Sequence, residues 1–154
     1  EGEAEFELFY REHFPWVIKY LVSLFGGPYF VDDATQEAML IVWIKWEVID
    51  DKKSYLFVTA RHCLLALLLS SRRIVSLGIL PDVADNGNLA LEWIEANADL
   101  VRVLQELSWR QREAATLAWV CDFSEKEIAR HMGISPGTVK SHLSRARESL
   151  KRFA

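Results

Sequence analysis

Phe123-Ser-Glu-Lys-Glu-Ile-Ala-Arg-His-Met-Gly-Ile-Ser-Pro-Gly-Thr-Val-Lys-Ser-His-Leu-Ser-Arg-Ala-Arg147 reads as two short helices joined by a tight turn. Ser124 stands where a side-chain oxygen caps the first helix, and Glu127, three residues on, completes a capping box. Ile128, Ala129 and Met132 share one face and point inward. Gly133 follows where a left-handed residue ends a helix, a conformation glycine takes without steric cost. Ser135 then caps the second helix, and Pro136 fills its first position, where a missing N–H does no harm. Two capped helices across a glycine turn make a helix-turn-helix, the motif that seats one helix in the DNA major groove.

The second helix divides into two faces. Val139, Leu143, Ala146 and Leu150 recur at helical spacing and form the stripe that packs inward. At about 100° per residue, the opposite side carries Thr138, Ser141, Ser144, Arg145, Glu148 and Arg152, with Lys140, Arg147 and Lys151 on one flank and His142 on the other. Hydroxyls and guanidinium groups suit base edges, while Lys and flanking Arg suit phosphates. Thr138, Lys140, Ser141, His142, Ser144, Arg145 and Arg147 are therefore the candidate duplex readers.

The net charge of the 154 residues is −4, which argues against a chain that coats nucleic acid generally. Its distribution is more telling. Residues 77–98 hold no Lys or Arg and four acids, Asp82, Asp85, Glu92 and Glu95, whereas residues 99–154 hold 10 basic and 7 acidic groups. Positive charge thus collects where the motif lies. Half of the chain is apolar, at 51%, enough for a substantial core. Cys63 and Cys121 stand apart in apolar helical contexts and read as small core residues of a reduced, cytoplasmic protein, with no metal set. No signal peptide is evident, and the longest apolar run, residues 63–69, is far too short to span a bilayer, so no membrane insertion is expected. The chain lacks an initiator Met, and its first residue is expected to be a truncated or processed end.

Helical periodicity appears nearly everywhere and period-two alternation nowhere for long, so the fold is expected to be all-α. A first helix is predicted over about 4–25, kinked at Pro15. Gly26-Gly27-Pro28 breaks it, and a second helix starts near Asp32 or Asp33, whose carboxylates suit a helix N-terminus. A charged loop at 50–53 leads to a third helix over about 54–73. The stretch 74–97 reads as a linker with a short helix near 89–96. Beyond it come a helix at about 100–107, another opened by Ser108 with Gln111 as a second capping box, and then the helix-turn-helix. The expected organisation is two small helical domains, 1–74 and 99–154, joined by an acidic linker at 75–98.

The pieces taken together resemble the two-domain bacterial sigma factors of the extracytoplasmic-function type. Phe6-Glu-Leu-Phe-Tyr-Arg-Glu-His13, Asp32-Asp-Ala-Thr-Gln-Glu-Ala38, Val42-Trp-Ile-Lys-Trp46 and Tyr55-Leu-Phe-Val-Thr-Ala-Arg61 are similar to the family's first domain. Leu107-Ser-Trp-Arg-Gln-Arg-Glu113 and Gly137-Thr-Val-Lys-Ser-His-Leu-Ser-Arg-Ala-Arg147 are similar to its last. The resemblance implies a transcription initiation factor that binds core RNA polymerase and promoter DNA, is held by an anti-sigma factor, works in the cytoplasm, needs no cofactor or metal, and is not an enzyme. It places Asp33, Gln36 and Glu37 on the helix that docks on the polymerase. It assigns Lys140, Ser141, Ser144 and Arg145 to the −35 element. For the −10 element of the melted strand it marks the loop at 50–53, with Asp51, Lys52 and Lys53, then Arg61 and His62; Trp46 and Tyr55 flank that loop and are candidates to stack on a base. An extruded base costs a few kcal/mol, which stacking and hydrogen bonds in a pocket must offset.

The sequence departs from the family pattern after Arg61. His62 stands for the usual Asn, Ala66 for an Asp, and Leu67-Leu-Leu-Ser-Ser71 for much of a basic run, leaving only Arg72 and Arg73. Fewer phosphate contacts should weaken −10 binding. A third helix apolar on nearly every side should also be covered: by the last domain folding back, by an anti-sigma partner, or by polymerase. Two further readings stay open. One is a sigma-like decoy that titrates an anti-sigma factor. The other is a response-regulator-type DNA-binding protein, although residues 1–76 show neither strands nor a phosphorylation pocket.

Overall fold

The computed structural model describes residues 2–76 and 88–153, so linker positions Gly78, Pro81, Asp82, Asp85 and Gly87 lie outside the described residues. Helix α1 is Gly2–Phe25, α2 is Val31–Ile44 and α3 is Lys52–Ser76. They are followed by α4 (Asn88–Ala96), α5 (Ala98–Leu104), α6 (Trp109–Ala115), a π-helical turn at Thr116–Val120, α7 (Glu125–Met132) and α8 (Pro136–Lys151). Among the described residues no strand occurs, in keeping with the all-α expectation.

Helix α1 continues through Pro15, and its C-terminal half, Val17 to Leu24, is buried almost throughout. Gly26 ends it at φ 83°, and Phe30 opens α2 from an equally left-handed φ of 61°. Phe30 offers no side-chain cap, and α2 begins at Val31, with Asp32 and Asp33 in its first turn. Ala34, Ala38 and Val42 of α2 face Leu56, Phe57, Ala60 and Leu64 of α3, all fully buried. Helix α3 is long and apolar enough to cross a bilayer over Lys52–Ser71. Its buried residues instead fill a protein core. The apolar stretch beyond is covered only in part: Cys63 and Leu64 are buried, while Leu65 and Leu69 remain about half exposed at 47% and 49%. Those two face a groove of about 480 Å³ beside Phe25, Tyr29 and Phe30.

The segment expected as a linker is shortened by α4, which lies on α1 with Ala90 fully buried and Trp93 and Ile94 half-buried against the core. Helices α5 to α8 form the second half. The cores of the two halves merge: Phe57 meets Phe123 at 5.1 Å between ring centres, and one apolar cluster runs from Val17 and Leu64 to Ile128 and Leu143. Arg112 joins the halves from within the backbone, donating to the carbonyl oxygens of Leu104, Gln105 and Leu107 and, at 3.1 Å, to that of Leu24 at the end of α1. Gln105 adds a 2.7 Å bond to the carbonyl of Ser23. Both thiols are buried; burial pushes Cys63 up to about 11 and Cys121 up to about 12, so they remain neutral core groups.

Candidate nucleic-acid interface

The helix-turn-helix forms as its residues dictate. Ser124 Oγ accepts from the Glu127 amide at 3.1 Å while Glu127 Oε1 accepts from the Ser124 amide at 3.0 Å, a complete capping box. Those bonds hold the Glu127 carboxyl below its usual range, with the backbone bond from Ser124 contributing most. Gly133 sits at φ 68° with open space where a Cβ would lie, so backbone conformation alone calls for glycine there. Ser135 Oγ then accepts from the Thr138 amide at 3.1 Å, with Pro136 at the first position of α8. At the start of α6 only half of the expected second capping box is made. Ser108 Oγ accepts from the Gln111 amide at 3.4 Å, and no return bond from the Gln111 side chain occurs among the described residues. Glutamine is a weaker return acceptor than the carboxylate at Glu127, whose charge strengthens the bond it accepts.

Val139, Leu143 and Ala146 are buried under α8, at 0%, 3% and 0% exposure. The other side of the helix faces water: Thr138, Lys140, Ser141, Ser144, Arg145 and Arg147 are all exposed. Arg145 enters no ion pair among the described residues, while Lys140 stands 3.9 Å from Glu125 and Arg147 lies 5.7 Å over the Trp119 ring. His142 is half-buried on the flank, its Nδ1 without a hydrogen-bond partner. Burial, then Arg110 and Arg145, hold its pKa below the usual imidazole value. Neutral His142 therefore adds no charge beside Arg145, and the guanidinium remains the main positive centre of that face.

A second group of candidates gathers at the junction of α2 and α3. Asp51 Oδ1 accepts from the Ser54 amide at 3.2 Å and so caps α3. Tyr55 and Asp51 line a cavity of about 630 Å³ together with Lys45 and Ser54, and Arg130 and His131 of α7 close its far side. The Tyr55 hydroxyl accepts from Lys45 Nζ at 3.2 Å. Trp46 is apart from the cavity lining: it is 8% exposed, edge-on to Phe6 and Phe9, with the Lys52 ammonium 4.8 Å over its ring. Lys53 and Arg61 turn toward the second half, Lys53 to Glu127 at 3.2 Å and Arg61 to the buried Glu113. His62 is exposed on α3.

The third group lies on α2. Asp33, Gln36 and Glu37 are exposed along one stripe, and Tyr10 donates to Gln36 Oε1 at 3.1 Å. The same stripe carries Leu40 and Ile44, exposed at 56% and 71%, which sequence reasoning passed over. The spacing 33, 36, 37, 40, 44 is itself the signal, since it marks one helical face mixing acids, amide and large aliphatics.

Residues 9–74 match the sigma-70 region 2 family and residues 97–150 the sigma-70 region 4 family. The chain belongs to the sigma factors of the extracytoplasmic-function type. Among similar proteins, the ECF RNA polymerase sigma factor SigL of Mycobacterium tuberculosis is 29% identical over 153 residues, spanning 92% of this chain and 84% of that protein. The ECF RNA polymerase sigma factor SigM of Bacillus subtilis is 26% identical, spanning 92% of this chain and 90% of its own length. A co-crystal structure of the sigma factor RpoE with the anti-sigma factor NepR from Bartonella quintana shares the fold, at a TM-score of 0.70 and 24% identity over 96% of this chain and 95% of that one. Region 2 thus stands where a response regulator would carry its receiver domain.

Proposed function

We propose that this sigma factor binds core RNA polymerase in the cytoplasm and directs it to promoters, with residues 1–74 serving the polymerase and the −10 element and residues 99–154 the −35 element. The observation that carries the reading is the exposed face of α8, where Thr138, Ser141, Ser144 and Arg145 stand clear of the protein on a helix pinned behind by Val139 and Leu143. On that face Arg145 reads a base edge, the hydroxyls read beside it, and Lys140 and Arg147 fix the helix on phosphates. The α2 stripe from Asp33 to Ile44 is the polymerase contact, its aliphatics giving burial and its polar groups register. Asp51, Lys52, Lys53, Tyr55, Arg61 and His62 form the −10 side, with the Tyr55 cavity receiving a base and Trp46 supporting the loop from beneath. An anti-sigma factor is the expected inhibitor, by likeness to the partner named in the RpoE–NepR complex.

The test is reconstitution. Core polymerase with this chain should yield discrete transcripts from a genomic DNA library, and those start sites should share two upstream elements. Co-purification with core without any promoter-dependent transcript would favour the decoy reading, for which the shortened basic run after Arg61 speaks.

A further inference from the structure

We infer that the second half carries an internal mimic of DNA phosphate, in which the buried Glu113 carboxylate engages Arg61 and keeps the −10 side closed. The inference rests on the proposed −10 role of Arg61 and adds to it a contact that regulates access.

Glu113 is fully buried although it belongs to α6, seven residues long, in the second half. Among the described residues, the hydrogen bonds to its Oε2 come from the first half: one from the Arg61 guanidinium, the other from the Tyr20 hydroxyl at 3.1 Å. Among the described residues its own half offers it Arg110 at 3.9 Å and His131 at 3.8 Å. Glu127 repeats the arrangement at the rim, with Lys53 Nζ 3.2 Å away. Lys52, Lys53 and Arg61 are the permanent cations of the −10 candidates, and two of the three are thus held by carboxylates of the second half. The −35 face has no such cover, since Ser141, Ser144 and Arg145 are all exposed. As folded, the chain leaves the −35 surface clear, whereas on the −10 side Lys53 and Arg61 are engaged by carboxylates of the second half.

A guanidinium meets a carboxylate and a phosphate through the same forked donors, so the two anions compete for one site. A buried ion pair also returns little net energy over an apolar contact, because both ions have lost their water. Such a contact is selective yet releasable. Glu113 Oε1 and His131 Nε2 are both buried without a hydrogen-bond partner, which lowers the cost of returning them to water. When a phosphate takes Arg61, the Glu113 carboxylate loses its charged donor in a buried place, and parting of the halves restores its solvent. Strand binding and closure are therefore linked, and each weakens the other by the same factor.

The experiment uses the full chain with spin labels on cysteines introduced at Val48 and Glu148, both exposed; Cys63 and Cys121 are buried and escape labelling. Double electron–electron resonance should give one short distance for the unsubstituted protein. Glu113→Gln should raise the long-distance population about tenfold, and affinity for a single-stranded −10 oligonucleotide about tenfold at low salt, as one cation contact is freed. An unchanged distance distribution in folded Glu113→Gln overturns the inference, as does opening with no gain in oligonucleotide affinity. Arg61→Gln in the Glu113→Gln background assigns that second failure: if affinity does not respond, Arg61 is not a DNA contact and the proposed function fails at that residue. Should Glu113→Gln not fold by circular dichroism, titrating the oligonucleotide onto the labelled native protein decides the matter, since the short distance must give way to the long one.

Discussion

Lowering the pH from 7 toward 4 should loosen the seam between the halves through His131. Its side chain is wholly buried, edge-on to Tyr20, Phe57 and Phe123 at 6.0 to 6.5 Å between ring centres, and Ser54 Oγ lies 3.4 Å from Nδ1. Burial pushes its pKa from 6.5 down to about 4, the Arg61 charge adding to the effect and Asp51 opposing it. Glu113 faces it from α6, and Lys53 and Arg61 lie along α3. Separation of the halves removes Tyr20, Phe57 and Ser54 and leaves the ring in water, where its ordinary value returns. Above pH 6.5 the ring is neutral in both forms and contributes no difference. Between 6.5 and about 4 the separated form holds a proton that the closed form refuses. Closure therefore weakens by about 1.4 kcal/mol per pH unit, about 3 kcal/mol over the window. Interdomain distances measured from pH 7.5 to 4.5 should show that loss in the native protein and lack it in His131→Gln. Parallel profiles for the two proteins would refute the reasoning.

The remaining expectations concern single faces. Arg145→Ala should cost about 1–3 kcal/mol in −35 duplex affinity and relax the preference at one base pair, read by anisotropy with a set of base-substituted duplexes. Leu40→Asp with Ile44→Asp should abolish co-purification with core polymerase while leaving the melting temperature within a few degrees, because both side chains are exposed. Leu143→Ala, at a site 3% exposed, should destabilise the second half by about 2–5 kcal/mol in chemical denaturation.

What the sequence made legible is what four or five neighbouring residues decide. The Ser124–Glu127 box, the left-handed Gly133 and the Ser135–Pro136 start of α8 are all backbone satisfaction within one turn, and each forms where the residues place it. The exposed face of α8 follows from the same 3.6-residue period that buries Val139 and Leu143. Glu113 was illegible because its burial depends on donors 52 and 93 residues away in the chain. Trp46 could stack on a base or fill a core until α1 supplied Phe6 and Phe9 to enclose it. Phe30 shows a limit of local rules, since nothing in its side chain favours a φ of 61°, and its ring packs against the merged core. For α3, cover by the second half was one of three expectations; among the described residues it holds for the N-terminal part that meets α7, not for Leu65 and Leu69.

The two proposed DNA faces differ in how they are made, and the difference orders events on a promoter. The −35 face belongs to one half alone and stands clear in the closed chain, whereas Arg61 and Lys53 are held there by Glu113 and Glu127 of that half. On the proposed roles, duplex contact at −35 costs no rearrangement, while contact at −10 displaces two carboxylates. Glu113→Gln should therefore leave −35 duplex affinity within about twofold while it raises that for the −10 strand. Equal gains at both elements would mean that the halves close over α8 as well, and the exposure of Arg145 argues that they do not.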